Sequence, residues 1–131
     1  MTSAHSALPP DNVQLVPDLR VAARTSPTNI GMSMLAAVAA HDLGFLALDA
    51  LADRTDDTLT TIERLETHQG HLLNWYDTET LAPLLPAYVS TVDSGNLAGA
   101  LLALTAGCVD LAGAHADLAP RLLDVARRAT A

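Results

Sequence analysis

The 131-residue chain carries 15 acidic against 7 basic side chains, a formal net charge of −8, and its Lys and Arg do not cluster. That excludes a general nucleic-acid binder, since a phosphate backbone must be met by grouped cations. Half of the residues are hydrophobic but only 3% are aromatic, so the apolar mass is largely Ala and Leu, the strongest helix formers, and an all-α protein of one domain is expected. The single cysteine, Cys108, excludes an intrachain disulfide framework and a Cys-rich zinc site.

Residues 1–27 hold Pro9, Pro10, Pro17 and Pro27, each of which pushes its predecessor away from helix, and they read as an extended arm preceding a helical part over 28–131. Met1 to Pro10 shows neither a basic start nor an apolar run of the kind a secretory signal has, and a cytoplasmic location is expected. From about Asn29 to Asp53 apolar residues surround the whole helical circumference, the pattern of a helix covered on most sides. From Asp56 to Gln69, Leu59, Ile62 and Leu65 line one face, which predicts an amphipathic helix capped by Asp56 or Asp57 and stopped at Gly70.

Residues 70–93 contain Pro83, Pro86, Trp75, Tyr76 and Tyr88 and read as a long irregular connection, a length that compact domains keep for function. A second all-round apolar helix is expected after Asp93 or Ser94, ending near Ala114. Its small residues Gly95, Ala98, Gly99, Ala103, Ala106 and Gly107 suit close helix packing. Its longest apolar stretch, Leu97 to Val109, is interrupted at Gly99, Thr105 and Gly107 and falls short of the ~18 residues that a membrane helix needs, so no membrane segment is expected. A last amphipathic helix spans about Asp117 to Ala129, with Arg127 and Arg128 at the negative end of its dipole.

The order buried, amphipathic, buried, amphipathic is what an α/α toroid requires, because its inner helices are flanked by neighbours while its outer helices show one face to water. About two helical hairpins of such a toroid, a partial ring, account for the chain. In that arrangement the inner helices are parallel, and the entry Ser26–Asn29 meets the 70–93 loop at one end. A plain four-helix bundle fits the same pattern.

Three phrases resemble a known family: Arg24-Thr-Ser-Pro-Thr-Asn-Ile-Gly31, Gly70-His-Leu-Leu-Asn-Trp-Tyr-Asp-Thr78 and Tyr88-Val-Ser-Thr-Val-Asp-Ser-Gly-Asn-Leu-Ala-Gly99. They are similar to the glycoamylase-like region of bacterial cyclic β-1,2-glucan synthases, membrane enzymes whose middle portion resembles six-hairpin glycosidases. The resemblance runs from about Val21 to Leu104. It departs from the family at Leu72 and Leu73, where aromatics are usual, and at Ala100, where a His is common. A complete toroid of that kind has about twelve helices, so the resemblance implies a fragment that is not catalytic by itself.

Glycoside chemistry uses a carboxylic acid to protonate the leaving oxygen and a second carboxylate for water or covalent attack. Asp77 and Asp93 are the candidates for catalysis, and cap or turn duty is the competing reading for each. Trp75 and Tyr76 offer faces for stacking on a pyranose, while Asn29, Asn74, Ser94 and Asn96 offer hydrogen bonds to sugar hydroxyls. His68 and His71 have metal-like spacing but no third ligand, and His41-Asp42 reads as a core or interface pair. No Ser-His-Asp arrangement with an elbow motif is visible, and no cofactor or metal is expected. The partners expected are a β-glucan oligosaccharide and either the remainder of a larger polypeptide or a second copy. A non-catalytic helical interaction or dimerisation module is the rival function.

Overall fold

The computed structural model describes residues 7–130. The first six residues of the expected arm, and with them most of the segment read for a signal, lie outside the described residues. The rest of the arm is extended but anchored: Leu8 is fully buried in the core, and the Thr58 hydroxyl donates to the Ala7 carbonyl at 3.4 Å. The arm forms a small antiparallel pair, β1 (Val13–Gln14) with β2 (Arg20–Val21), and then β3 (Arg24–Thr25).

Helix α1 runs Pro27–Asp42, opened by Ser26, whose hydroxyl accepts the Asn29 N–H, and by Pro27 in the first turn, where its missing N–H costs nothing. The expected continuation to Asp53 does not occur. Gly44 takes φ +84°, a left-handed conformation that suits glycine and ends the helix, and His41 Nδ1 meets the Leu46 carbonyl at 2.9 Å to close the loop. The apolar residues on both sides of this break hid it from the periodicity.

Helix α2 therefore starts earlier than expected, at Leu48, and ends at Ile62, with no side-chain cap. Asp56 and Asp57 lie inside it and are not its caps. Its inner face buries Thr55, Thr58 and Thr61 beside Leu51, Ala52 and Leu59. These hydroxyls are affordable in the core because each donates to the carbonyl four residues back, at 2.9, 2.9 and 3.0 Å.

The remainder of the expected second helix, and the start of the expected irregular loop, is a hairpin of β4 (Thr67–His68) and β5 (His71–Leu72). Gln69 at φ 52° and Gly70 at φ 81° form its turn, the two successive positive φ values of a type I′ connection. His68 and His71 face each other across this hairpin. Helix α3 runs Thr91–Ala114 and starts ahead of both expected caps: Ser90 caps it, accepting the Asp93 N–H, and Asp93 sits in the first turn. Helix α4 runs Ala119–Ala129.

The inner helices α1 and α3 are parallel. Thr28 meets Asp93 at their first turns. A Cβ on Gly31 would lie 2.8 Å from that of Ala100, and one on Gly107 would lie 3.8 Å from Val38 further along. Contacts advancing together in both chains define parallel axes, as the toroid requires and a simple up-and-down bundle does not. The close approach is made by Gly31 on α1. Gly95 and Gly99 on α3 have open space where packing was expected.

Leu104, Cys108, Met34, Ile30 and Leu122 lie at the centre of the core, and burial raises the Cys108 thiol above its usual range. The outer helices are joined by charge: Arg121 pairs with Asp53, and Arg128 pairs with Asp56 and Glu63 as well as with Asp124 on its own helix. α3 is longer than the apolar run read from the sequence. At 24 residues, with a mean hydropathy of 1.7 over an 18-residue window, it has the length and composition of a membrane-crossing helix as well as those of an inner helix, although a share of that window lies buried within the protein.

Candidate functional site

The start of α1, the start of α3 and the 73–90 loop converge at one end of the molecule, as the toroid predicts. β3 pairs antiparallel with β6 (Tyr76–Asp77), matching Arg24 with Asp77 and Thr25 with Tyr76, and Thr78 donates its N–H to the Ala23 carbonyl at 3.0 Å. This long-range pairing ties the loop to the entry of α1.

Asp93 and Asn96 are brought together by a residue that the sequence reading passed over. The Thr28 hydroxyl donates to Asp93 at 2.5 Å and accepts from the Asn96 carboxamide at 3.0 Å. Asn29 donates to Asp11 at 3.0 Å, and Asp11 also takes Arg24 at 3.3 Å. The hydrogen bond from Asn29 is the main influence holding the Asp11 carboxyl below its usual range, with further help from Arg24 and Asn12 against a smaller opposing effect of burial. The Arg24 guanidinium lies over Trp75, 4.7 Å from the ring centroid, a cation–π contact that covers one face of the indole.

Asp11, Arg24 and Thr28 are thus part of the site without having been singled out. Arg24 and Thr28 lie inside the first of the three family-like phrases, which was the available signal. Asp11 sits in the proline-rich arm, where nothing local marks it.

Other candidates are occupied by the fold. Tyr76 is fully buried; its hydroxyl accepts the Leu73 N–H at 2.7 Å and donates to the Glu66 carbonyl at 2.6 Å, and burial raises its pKa. Its ring is a core element and offers no face to a sugar, which corrects the stacking role expected of it. Asn74 is also buried. Its carboxamide donates to the Pro86 carbonyl and accepts the Tyr88 N–H, so it staples the loop and does not present hydrogen bonds to a ligand. Asp77 accepts the N–H groups of Glu79 and Thr80 at 2.8 and 2.9 Å, the turn-capping duty that was its competing reading. Ser94 Oγ is buried and has no hydrogen-bond partner. Among the described residues, no cluster of three or more His, Cys, Asp or Glu could hold a metal.

What this end of the molecule offers is a half-buried carboxylate fixed by a hydroxyl, two carboxamides and an indole on a rigid base. No protein-family model matches the chain. Two solved structures share its fold: a candidate glucoamylase from Bacteroides fragilis NCTC 9343, with a TM-score of 0.76 and 18% identity, and one from Bacteroides caccae ATCC 43185, with a TM-score of 0.74 and 19% identity. The chain is covered to 98% and 96% but spans 31% and 30% of those proteins. The fold is thus that of a glucoamylase-like α/α toroid, in part. At the sequence level the chain is 45% identical over 114 residues to the cyclic beta-(1,2)-glucan synthase NdvB of Rhizobium meliloti (strain 1021), a match over 87% of this chain and 4% of that protein. The resemblance carried by the three phrases, to the glycoamylase-like region of a cyclic glucan synthase, stands on both comparisons.

Proposed function

We propose that this chain is a carbohydrate-handling fragment whose α1/α3 end forms one wall of a β-glucan cleft, and that by itself it binds glucan without turning it over. The observation that carries this reading is the convergence of Thr28, Asp93 and Asn96 with Asn29 and the Arg24–Trp75 stack at the N-terminal ends of two parallel inner helices. Asp93 is the carboxylate that best suits a role at the reacting bond. Asp77 contributes through the turn that it caps, and the remaining acid or base comes from outside this wall. The free edge of Trp75 and the carboxamides of Asn29 and Asn96 supply apolar and polar contacts of the kind that a sugar ring takes. A cytoplasmic location belongs to the same reading.

The test is titration of 15N-labelled protein with β-1,2-linked glucose oligosaccharides at millimolar concentration, with a β-1,3-linked series as control. Shifts confined to residues 24–29, 75 and 91–96 are expected, weakened about tenfold, or roughly 1.4 kcal/mol, in Trp75→Ala and in Asp93→Asn. If neither series moves these signals, the cleft is vestigial. The rival reading, a helical interaction module, then takes its place on the strength of the exposed apolar flank of α3.

A further inference from the structure

Trp75 stands between two residues that the fold holds rigidly. Asn74 is stapled to Pro86 and Tyr88, Tyr76 is buried in the core and paired with Thr25, and the Trp75 carbonyl itself accepts the Leu84 N–H at 2.9 Å. Successive side chains of extended backbone point to opposite faces, so the burial of Asn74 and Tyr76 turns the indole between them outward. With the backbone settled, the rotamer of the ring is what remains open. The Arg24 guanidinium, 4.7 Å from the ring centroid, limits it from one side.

Arg24 is a long side chain, 51% exposed, on a strand of two residues, and alone it would sample several rotamers. Two carboxylates belong to its surroundings. Asp77 lies opposite it in the β3–β6 register and gives Oδ1 to the N–H groups of Glu79 and Thr80. Asp11 comes from the arm: Oδ2 accepts from the Arg24 guanidinium at 3.3 Å, while Oδ1 accepts from the Asn29 carboxamide at 3.0 Å. One carboxylate thereby joins the first turn of α1 to Arg24. An ion pair this exposed adds little to stability, so its consequence is geometric, the selection of one Arg24 rotamer.

We propose that Asp11 is a positioning residue for Trp75: by tying Arg24 to α1 it fixes the guanidinium over one face of the indole, and with it the orientation in which the ring meets a ligand. The arm is then a working part of the wall at the α1/α3 end. A ligand reaches the indole only on the part that Arg24 leaves uncovered. That this ligand is a glucan rests on the function proposed above, whereas the hold of Asp11 on the ring does not.

The chain has one tryptophan, so a single indole N–H signal in 15N-labelled protein reports the ring without any sugar present. Its order parameter is expected at about 0.85 in the parent, the value of rigid backbone, and below about 0.6 in Asp11→Asn and in Arg24→Lys. Asp11→Asn keeps the shape of the side chain but has one acceptor oxygen for the three donors Asn29, Arg24 and Asn12. Arg24→Lys keeps a cation for Asp11 but no flat group for the ring. Amide exchange of residues 11–22 should therefore stay at the parent rate in Arg24→Lys while the indole loosens, which separates positioning of the ring from anchoring of the arm. The double variant should be no looser than Arg24→Lys, because both changes interrupt one route.

An indole as ordered in Asp11→Asn as in the parent means that Arg24 holds the ring without Asp11, and overturns the proposal. A double variant looser than either single variant overturns it too. In titration with β-1,2-linked glucose oligosaccharide, both single variants should bind about threefold more weakly, the scale of an exposed cation–π contact, and Asp11→Asn should have no effect in a Trp75→Ala background. Unchanged binding beside a loosened indole overturns the link from ring orientation to ligand. A parent that binds no glucan while its indole responds as expected leaves the role of Asp11 in place and removes the glucan reading alone.

Discussion

The inner pair of helices and the outer pair are held together by different physics. α1 and α3 meet through Gly31 against Ala100 and through Val38 beside Gly107, a contact of shape with little polarity beyond Thr28, Asp93 and Asn96 at its end. α2 and α4 meet through an apolar stripe and a fan of ion pairs around Arg128, whose side chain is 14% exposed. The inner contact has little room for error because two backbones approach closely, whereas the outer one can adjust, since long charged side chains reach their partners from several positions. An inner helix of this kind must be small and apolar on each flank that meets a neighbour, and an outer helix only on one face.

Three measurements sharpen that contrast. Gly31→Ala places a methyl 2.8 Å from the Ala100 Cβ, and overpacking between fixed backbones costs about 2 kcal/mol; a clear fall in thermal midpoint is expected, partly reversed when Ala100→Gly is added. If Gly31→Ala melts like the parent, the inner contact is softer than its geometry states. Arg128→Gln removes the centre of the outer network and should cost about 1 kcal/mol at low salt, less as salt is raised. Denaturant titration at two ionic strengths separates this electrostatic loss from a packing loss, which salt leaves alone.

The smallest effect is that of acid on the arm. The folded Asp11 carboxyl titrates below its unfolded value, near 3.9 for a free Asp, so its contribution is fully present above the unfolded value and is lost as pH falls through the folded one. Amide exchange of residues 11–24 should therefore quicken at the acid end of that range in the parent. In Asp11→Asn it should show no such step.

Much of the fold was legible because the two classes of helix have different periodicities. The second all-round apolar run became α3 and the last one-faced run α4, placed within two residues of its start, whereas the first all-round run holds α1 and the start of α2 and the first one-faced run the end of α2. What escaped were features that periodicity does not encode. Leu43 to Ala47 is as apolar as its surroundings, so the break at Gly44 was marked by one glycine alone. Ser90 lies three residues before Asp93, a capping pattern overshadowed by the Asp93-Ser94 pair. The β3–β6 pairing joins residues more than fifty apart and has no local signature.

The site divided along the same line. Asp93, Asn96, Asn29 and Trp75 lie where helix starts and a turn put them, and these are local events that a sequence displays. Tyr76 and Asn74 were misjudged because an aromatic and a carboxamide beside a proline-rich loop look alike whether they face a ligand or the core. Their polar groups are satisfied by the backbone of Glu66, Leu73, Pro86 and Tyr88, partners that only the fold brings to them.

The length and hydropathy of α3 also bear on the order in which the chain assembles. The helix leaves the ribosome as 24 mostly apolar residues, and its face bearing Leu97, Leu104, Cys108 and Ala112 shares a core with Leu122, Val125 and Ala129 of α4, which are synthesised last. Until α4 arrives, that face has α1 and the core residues of α2 to lie against, and α1 is docked across the 48 residues of intervening chain. The short connection 115–118 means that α4 follows this most adhesive helix at once, whereas α1 is made first and waits longest for its inner neighbour, the interval in which transiently exposed apolar surface favours aggregation.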